Sequence, residues 1–225
     1  VRMCMLYNFD LGLVEIPGSN IMMGKTEVTQ ELYQLLMGYI PNGSYEGALL
    51  NPVSYLSWYD VIEFCNFLSN FFGLDCVYSV DGETNPENWE YDYGLLGELV
   101  IDSSLNGFRL PTLEEWKYAA KGGEDYIYSG SNDINEVAWY YYNSDSKLKN
   151  VAQKKANAYG LYDMSGNAYE WTSSQNEDER IYCGGGCGSY PEACEIDREH
   201  SSNYPKNEIF GFRLVRTITE ENTDN

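Results

Sequence analysis

The stretch Gly160–Trp171, GLYDMSGNAYEW, constrains this chain more than any other. A polar turn, Asp163 to Asn167, sits between two aromatic anchors, Tyr162 and Trp171, and strings oxygen donors along its length. A turn with so little apolar surface of its own must be carried by a scaffold. The sequence upstream supplies one. Downstream, from Cys183 to Phe210, apolar periodicity disappears and Gly, Ser, Tyr, Asn and Cys take over.

Three helices are legible in the scaffold. Thr29 reads as the N-cap of a helix running to Met37, with Leu32, Leu35 and Leu36 on one face and Gly38 stopping it. Ser57, with Asp60 three residues on, opens a second helix in which Trp58, Val61, Ile62, Cys65 and Leu68 recur at helical spacing, a pattern that core packing explains. In GFRLPTLEEWKYAAKGG, Pro111 ends an extended piece, Thr112 and Glu115 form a capping box, and Gly122-Gly123 closes the third helix. Short strands are expected at Leu11–Ile16, Ile21–Met23, Thr26–Val28, Val77–Val80 (entering an Asp81-Gly82 turn) and Glu98–Ile101, with an exposed acidic loop up to Leu95. GFRL occurs twice, at Gly107–Leu110 and Gly211–Leu214, which reads as two similar strands because nothing else recurs at a fixed period. Tyr126 to Tyr142 is aromatic and irregular. The sum is an α+β fold of about three helices, short strands and much irregular structure.

Charge narrows the function. With 14 Lys and Arg against 35 Asp and Glu, the formal net charge is -21, a field that repels nucleic acid and anionic lipid surfaces. No run approaches the roughly 20 consecutive apolar residues of a membrane span, and the opening VRMCMLYNFD shows no signal-peptide pattern. The six cysteines lack zinc-type C-x-x-C pairs, and Cys65 reads as a buried thiol. His200 is the only histidine, so an imidazole-held metal centre lacks ligands, and no serine-hydrolase motif is present.

Taken in order, GKTEVTQELYQLLMG, NPVSYLSWYDVIEFCNFLS, GFRLPTLEEWKYAAKGG, GLYDMSGNAYEWTSS, the glycines after Cys183 and GFRLVR resemble the formylglycine-generating-enzyme (sulfatase-modifying factor) family. The resemblance spans roughly Leu11 to Arg216 and implies a C-type-lectin-like fold in a single domain, 1–225. Its parts would be a scaffold (11–182), a variable ligand-binding segment (183–210), a closing strand (211–216) and a flexible tail (217–225). Arg109, Trp116, Trp171, Phe212 and Arg213 belong to the scaffold in this reading.

Two activities occur within that family. One is an oxidase that converts a substrate cysteine to formylglycine with copper held by two late cysteines at C-x-x-x-x-C spacing. Copper(I) prefers thiolates, and this chain offers Cys187 and Cys194 at a different spacing, so no copper and no catalysis are expected. The other is a binding branch: variable proteins of diversity-generating retroelements, of the treponemal kind, in which adenine-directed mutagenesis rewrites the segment between a GGS-type turn and a GFRxV strand. Mutating the adenines of AAY codons reaches the residues at Cys187, Gly188, Ser189, Tyr190, Asp197, His200, Ser201, Ser202, Asn203 and Tyr204, but not Glu192, Glu195, Glu199, Lys206 or Glu208. Tyr, Ser, Gly and Asn are also the residues of adaptable recognition surfaces. The expected ligand face therefore runs from Cys187 to Ile209 and includes Asn207.

The likeness further implies one calcium ion on Asp163 and Glu170 side chains and the Gly166 and Ala168 carbonyls. It implies a protein or surface ligand and export to the cell surface or outer membrane, with a lipid anchor outside the covered chain. An invariant lectin-like partner-binding domain is the remaining alternative.

Overall fold

The computed structural model describes residues 2–43, 48–92, 94–202 and 209–219. The three expected helices form where their caps place them. In α2 (Gln30–Met37) the Thr29 side chain accepts from the Leu32 N–H, and Gly38 ends the helix at φ 87°, a left-handed cap that glycine adopts without steric cost. Both capping boxes close, Ser57 with Asp60 on α3 (Trp58–Phe72) and Thr112 with Glu115 on α4 (Leu113–Lys121). Two short helices carried no sequence signal: α1 (Arg2–Tyr7) and the single turn α5 (Ile134–Val137).

Strands β1 (Leu13–Glu15), β2 (Ile21–Gly24), β5 (Phe108–Arg109) and β10 (Val215–Thr217) make one antiparallel sheet in the order β1-β2-β10-β5. Strands β3 (Tyr78–Val80) and β4 (Leu99–Ile101) pair as the expected ribbon. The second large sheet has the order β8-β7-β6-β9, from β6 (Tyr169–Asn176), β7 (Glu179–Cys183), β8 (Glu199–Ser202) and β9 (Phe210–Gly211), with β9 parallel to β6 and the rest antiparallel.

Several local expectations are corrected. Thr26–Val28 is not a strand; Val28 instead donates to the Phe212 carbonyl and its own carbonyl accepts from Val53, stitching three segments without a ladder. The acidic insert is not wholly exposed, because Pro86 and Trp89 turn inward around a short 3-10 turn. The closing strand is two pieces: the chain leaves the second sheet at Gly211, crosses through buried Phe212, Arg213 and Leu214, and enters the first sheet as β10. Thr217, assigned to the tail, pairs with Ile21 in that sheet.

The main core lies where α2 and α3 meet the second sheet. Leu32, Tyr33, Val61, Ile62, Phe64 and Leu68 pack with Trp171, Phe210 and Phe212, each such side chain contributing about 1.5–3 kcal/mol by burial. Two indoles lock the contact reciprocally: Trp58 Nε1 donates to the Thr172 carbonyl (2.8 Å) and Trp171 Nε1 to that of Leu56 (3.4 Å). This packing fixes β6, and with it the turn before it.

Candidate functional site

The turn leading into β6 is strained and buried. Asp163 and Asn167 take positive φ (58° and 61°), and Gly166 sits at φ 82° with the Trp139 backbone so close that an added Cβ would clash with its carbonyl oxygen. All four expected calcium donors belong to this turn and the start of β6, but they are not equally open. Arg213, held at the crossing between the sheets, donates Nη2 to Glu170 Oε1 (2.7 Å) and Nε to both carboxylate oxygens (3.2 and 3.0 Å). Trp116 Nε1 takes Glu170 Oε2 at 2.7 Å. Asp163 accepts from the Ala152 N–H through Oδ2, while its Oδ1 is buried without a partner among the described residues. An orphaned carboxylate oxygen suits a hard cation; the Glu170 carboxylate is already committed.

A residue that sequence reasoning missed completes this centre. Glu27 is buried, its Oε1 accepts from Asn167 Nδ2 (3.1 Å), and its Oε2 has no partner among the described residues. Burial pushes the Glu27 carboxyl well above its ordinary value, and the charges of Asp163 and Glu170 push it further, against Arg213. Asp163 is pushed up to about 6, chiefly by burial. Three buried carboxylates thus feel the charge of one guanidinium, and one of them, Glu170, contacts it. A carboxylate inside the otherwise ordinary run KTEVT was the available signal.

Among its described residues, the Cys183–Phe210 segment supplies β8 and β9 of the second sheet and mixes buried with exposed positions. The Gly184–Gly186 turn is buried against Met164 and Trp116 on one side and Cys194 on the other. Two of the expected ligand residues face inward. Cys187 packs with Leu148, Ala168 and Ile209, and Ser189 spends its hydroxyl accepting from the Gly186 N–H and bonding the Tyr169 hydroxyl. Both are buried, and Ser189 also lines the cleft described below. Gly188, Tyr190 and Asp197 are exposed, and His200, Ser201, Ser202 and Ile209 are half-buried. Asn203, Tyr204 and Asn207 lie outside the described residues.

Ser201 and Ser202 sit on β8, where Ser201 is opposite Ile181 and Ser202 opposite Arg180. The His200 ring stacks on Tyr182 and meets Tyr169 edge-on, both with centroids 5.5 Å away. Burial, helped by Arg198, lowers the His200 pKa below its ordinary value. Tyr169, Gly188, Ser189, Tyr190, Arg198 and His200 line an open cleft of about 390 Å³. Beside it, Tyr141 and Tyr142 join Tyr190 in an exposed aromatic cluster, with centroids 4.9 and 6.0 Å from the Tyr190 ring. These scaffold tyrosines were legible only as part of an irregular aromatic run.

The two alternative catalytic thiols are not brought together. Cys187 belongs to the Leu148–Ala168 cluster, and Cys194 to a different one with Tyr128, Ile134, Val137 and Tyr140. Burial pushes Cys194 up to about 12, away from the thiolate that soft metals take. Counting back from Cys194 by the C-x-x-x-x-C spacing reaches Ser189, a hydroxyl where that pair would need a sulfur.

No helix among the described residues is long and apolar enough to cross a membrane. The chain is 39% identical over 230 residues to the Chaperone protein LppX of Paenibacillus barcinonensis, covering 88% of this chain and 81% of that one. Its structure is similar to that of Treponema denticola variable protein 1, with a TM-score of 0.77, 29% identity, and coverage of 93% of this chain and 92% of the other. A shorter similarity, 35% over 83 residues, connects it with the formylglycine-generating enzyme of Mycobacterium tuberculosis, covering 31% of this chain and 28% of that enzyme. The sulfatase-modifying factor enzyme 1-like domain matches residues 14–218, and the chain belongs to that family.

Proposed function

We propose that the chain is a non-catalytic binding protein, displayed at the cell surface, whose ligand face is the outer layer of the Cys183–Phe210 segment. The observation that carries this reading is the division of the segment's described residues into buried and exposed positions. Gly184–Gly186, Cys187, Ser189 and Cys194 are buried, while Gly188, Tyr190 and Asp197 project. Substitutions at the exposed positions would disturb the core less than those at the buried ones. Tyr190 with Tyr141 and Tyr142 offers rigid amphipathic area, and the glycine and serines around it offer adaptable hydrogen bonding. Similarity to the treponemal variable protein supports diversification of this layer by a retroelement. In that case the ligand, a protein or another surface component, differs between individual copies.

A second reading rests on the relative named as a chaperone, which is similar along most of its length. In it the same face is invariant and holds one protein partner. Against the oxidase reading, Cys187 and Cys194 sit in separate clusters among the described residues.

The test is an exchange of residues 187–209 between two natural variants, followed by binding measurements against the ligand of each. Ligand preference is expected to travel with the exchanged segment. Preference that stays with the scaffold removes the assignment of this face.

A further inference from the structure

Arg198 stands between two acidic neighbours, Asp197 and Glu199, yet pairs with neither. Both carboxylates are drawn to α4 instead, Asp197 by Lys121 (3.4 Å) and Glu199 by Lys117 (2.6 Å). Along an extended chain successive side chains point to opposite faces. With Glu199 turned to α4, Arg198 and His200 share the other face, and both line the cleft of about 390 Å³ together with Tyr169 and Tyr190. Among the described residues the Arg198 guanidinium has neither an ion pair nor a hydrogen bond, in a chain of 35 acidic against 14 basic residues. Glu192 also lines the cleft without pairing to it, and its charge acts on Tyr128 and Cys194, whereas that of Arg198 acts on Tyr169 and His200.

We propose that Arg198 anchors an acidic side chain, Asp or Glu, of a polypeptide ligand in this cleft, between the Tyr169 and His200 rings and the Tyr190 cluster. The assignment rests on the reading of this face as the ligand face and adds the chemistry it selects. A guanidinium presents its N–H donors in a fixed fork that a carboxylate meets with both oxygens. One guanidinium balances one negative charge, and the field of a chain with net charge -21 works against a dianion such as a phosphate monoester. Tyrosine and arginine together are the residues on which protein–protein affinity concentrates. Here Tyr141, Tyr142 and Tyr190 set exposed aromatic area beside the guanidinium's cleft, which favours a polypeptide over an acidic sugar.

Because His200 is the only histidine, its imidazole proton signals report on the cleft by nuclear magnetic resonance without ambiguity. The full chain at pH 7.5 and constant ionic strength is titrated with acetyl-glutamate amide, acetyl-glutamine amide, acetyl-phosphoserine amide and methyl glucuronide. Acetyl-glutamate amide should shift the His200 signals saturably and bind about tenfold tighter than the glutamine analogue. Arg198→Gln, at an exposed position, should remove that preference while circular dichroism stays that of the folded chain. No shift with acetyl-glutamate amide, equal binding of the two amides, or a preference that survives in R198Q overturns the assignment. Tighter binding of the phosphoserine or glucuronide probe also overturns it, in favour of another anion. The exchange of residues 187–209 separates this claim from the one beneath it. Ligand preference that travels with the segment but is unchanged by R198Q strikes only the carboxylate anchor, whereas preference that stays with the scaffold strikes the face itself.

Discussion

Replacing Arg213 by Met should be far more damaging than replacing Glu170 by Gln, although the two residues are partners in one buried ion pair. Removing Arg213 strands Glu170 and also withdraws the positive charge felt by Glu27 and Asp163. An uncompensated buried charge costs about 3–5 kcal/mol. The Gly24 and Tyr162 carbonyls lose their donors as well, at about 1 kcal/mol each. R213M should therefore lose about 5 kcal/mol, a large part of the roughly 5–15 kcal/mol by which folded domains are stable. In E170Q the amide oxygen still accepts from Trp116, and Arg213 keeps two carbonyls and two nearby carboxylates, so the loss is about 1.5–3 kcal/mol. The double variant R213M/E170Q should be more stable than R213M alone, because it removes one stranded carboxylate. Urea unfolding at pH 7.5 in chelator, with midpoint and slope fitted for all four proteins, measures each difference. Equal losses for the two single variants, or a double variant weaker than R213M, would refute a shared three-carboxylate centre and leave an isolated pair.

Gly166→Ala should cost about 3 kcal/mol or more, since the residue takes φ 82° and the new methyl would press on the Trp139 backbone; a melting shift under about 3 °C would show that the turn relaxes. On brief alkylation of the native chain, Cys76, half-buried, should react ahead of Cys65, Cys183 and Cys194, because burial pushes the Cys183 and Cys194 thiols up to about 12 and shields all three; peptide mass spectrometry that finds Cys194 labelled as fast as Cys76 would reopen thiol chemistry at the segment. For Glu115, burial raises the carboxyl pKa but the Arg109 hydrogen bonds and charge outweigh it, so the folded value is lowered. Its contribution is present above the unfolded value and lost as pH falls through the folded one. Acid unfolding of Glu115→Gln should accordingly be shallower than wild type below about pH 4.5, and identical slopes would mean that the pair adds no pH dependence.

Helix positions were legible because caps and apolar spacing act locally: Thr29, Ser57 and Thr112 open their helices and Gly38 and Gly122 close theirs as local rules require. The β6–β7 hairpin carried little signal, since TSSQNEDERIY is mostly polar and its apolar support comes from two different core clusters, one through Trp171 and the other through Ile181. In β8 the strand EHSS exists because β7 offers it an edge, a tertiary cause invisible in its own residues. The two GFRL copies were readable as similar pieces but not as different devices. Arg109 pairs with Glu115 six residues away, whereas Arg213 reaches Glu170 across the join between sheets. Of the candidate face, composition located the segment but not the side each residue presents. Cys187 and Ser189 turn inward because the Gly184–Gly186 turn folds the chain back under itself, a direction that residue type does not encode.

The most direct test is to sequence the coding region for Cys183 to Phe210 across a population, together with a search of the same genome for a near-copy of that region. Diversification of the outer layer predicts differences confined to adenines of the near-copy and falling on exposed positions such as Gly188, Tyr190 and Asp197, with Gly184–Gly186 and Cys194 unchanged. An identical segment in every genome, with no near-copy, contradicts a diversified surface and leaves the invariant partner-binding reading in its place.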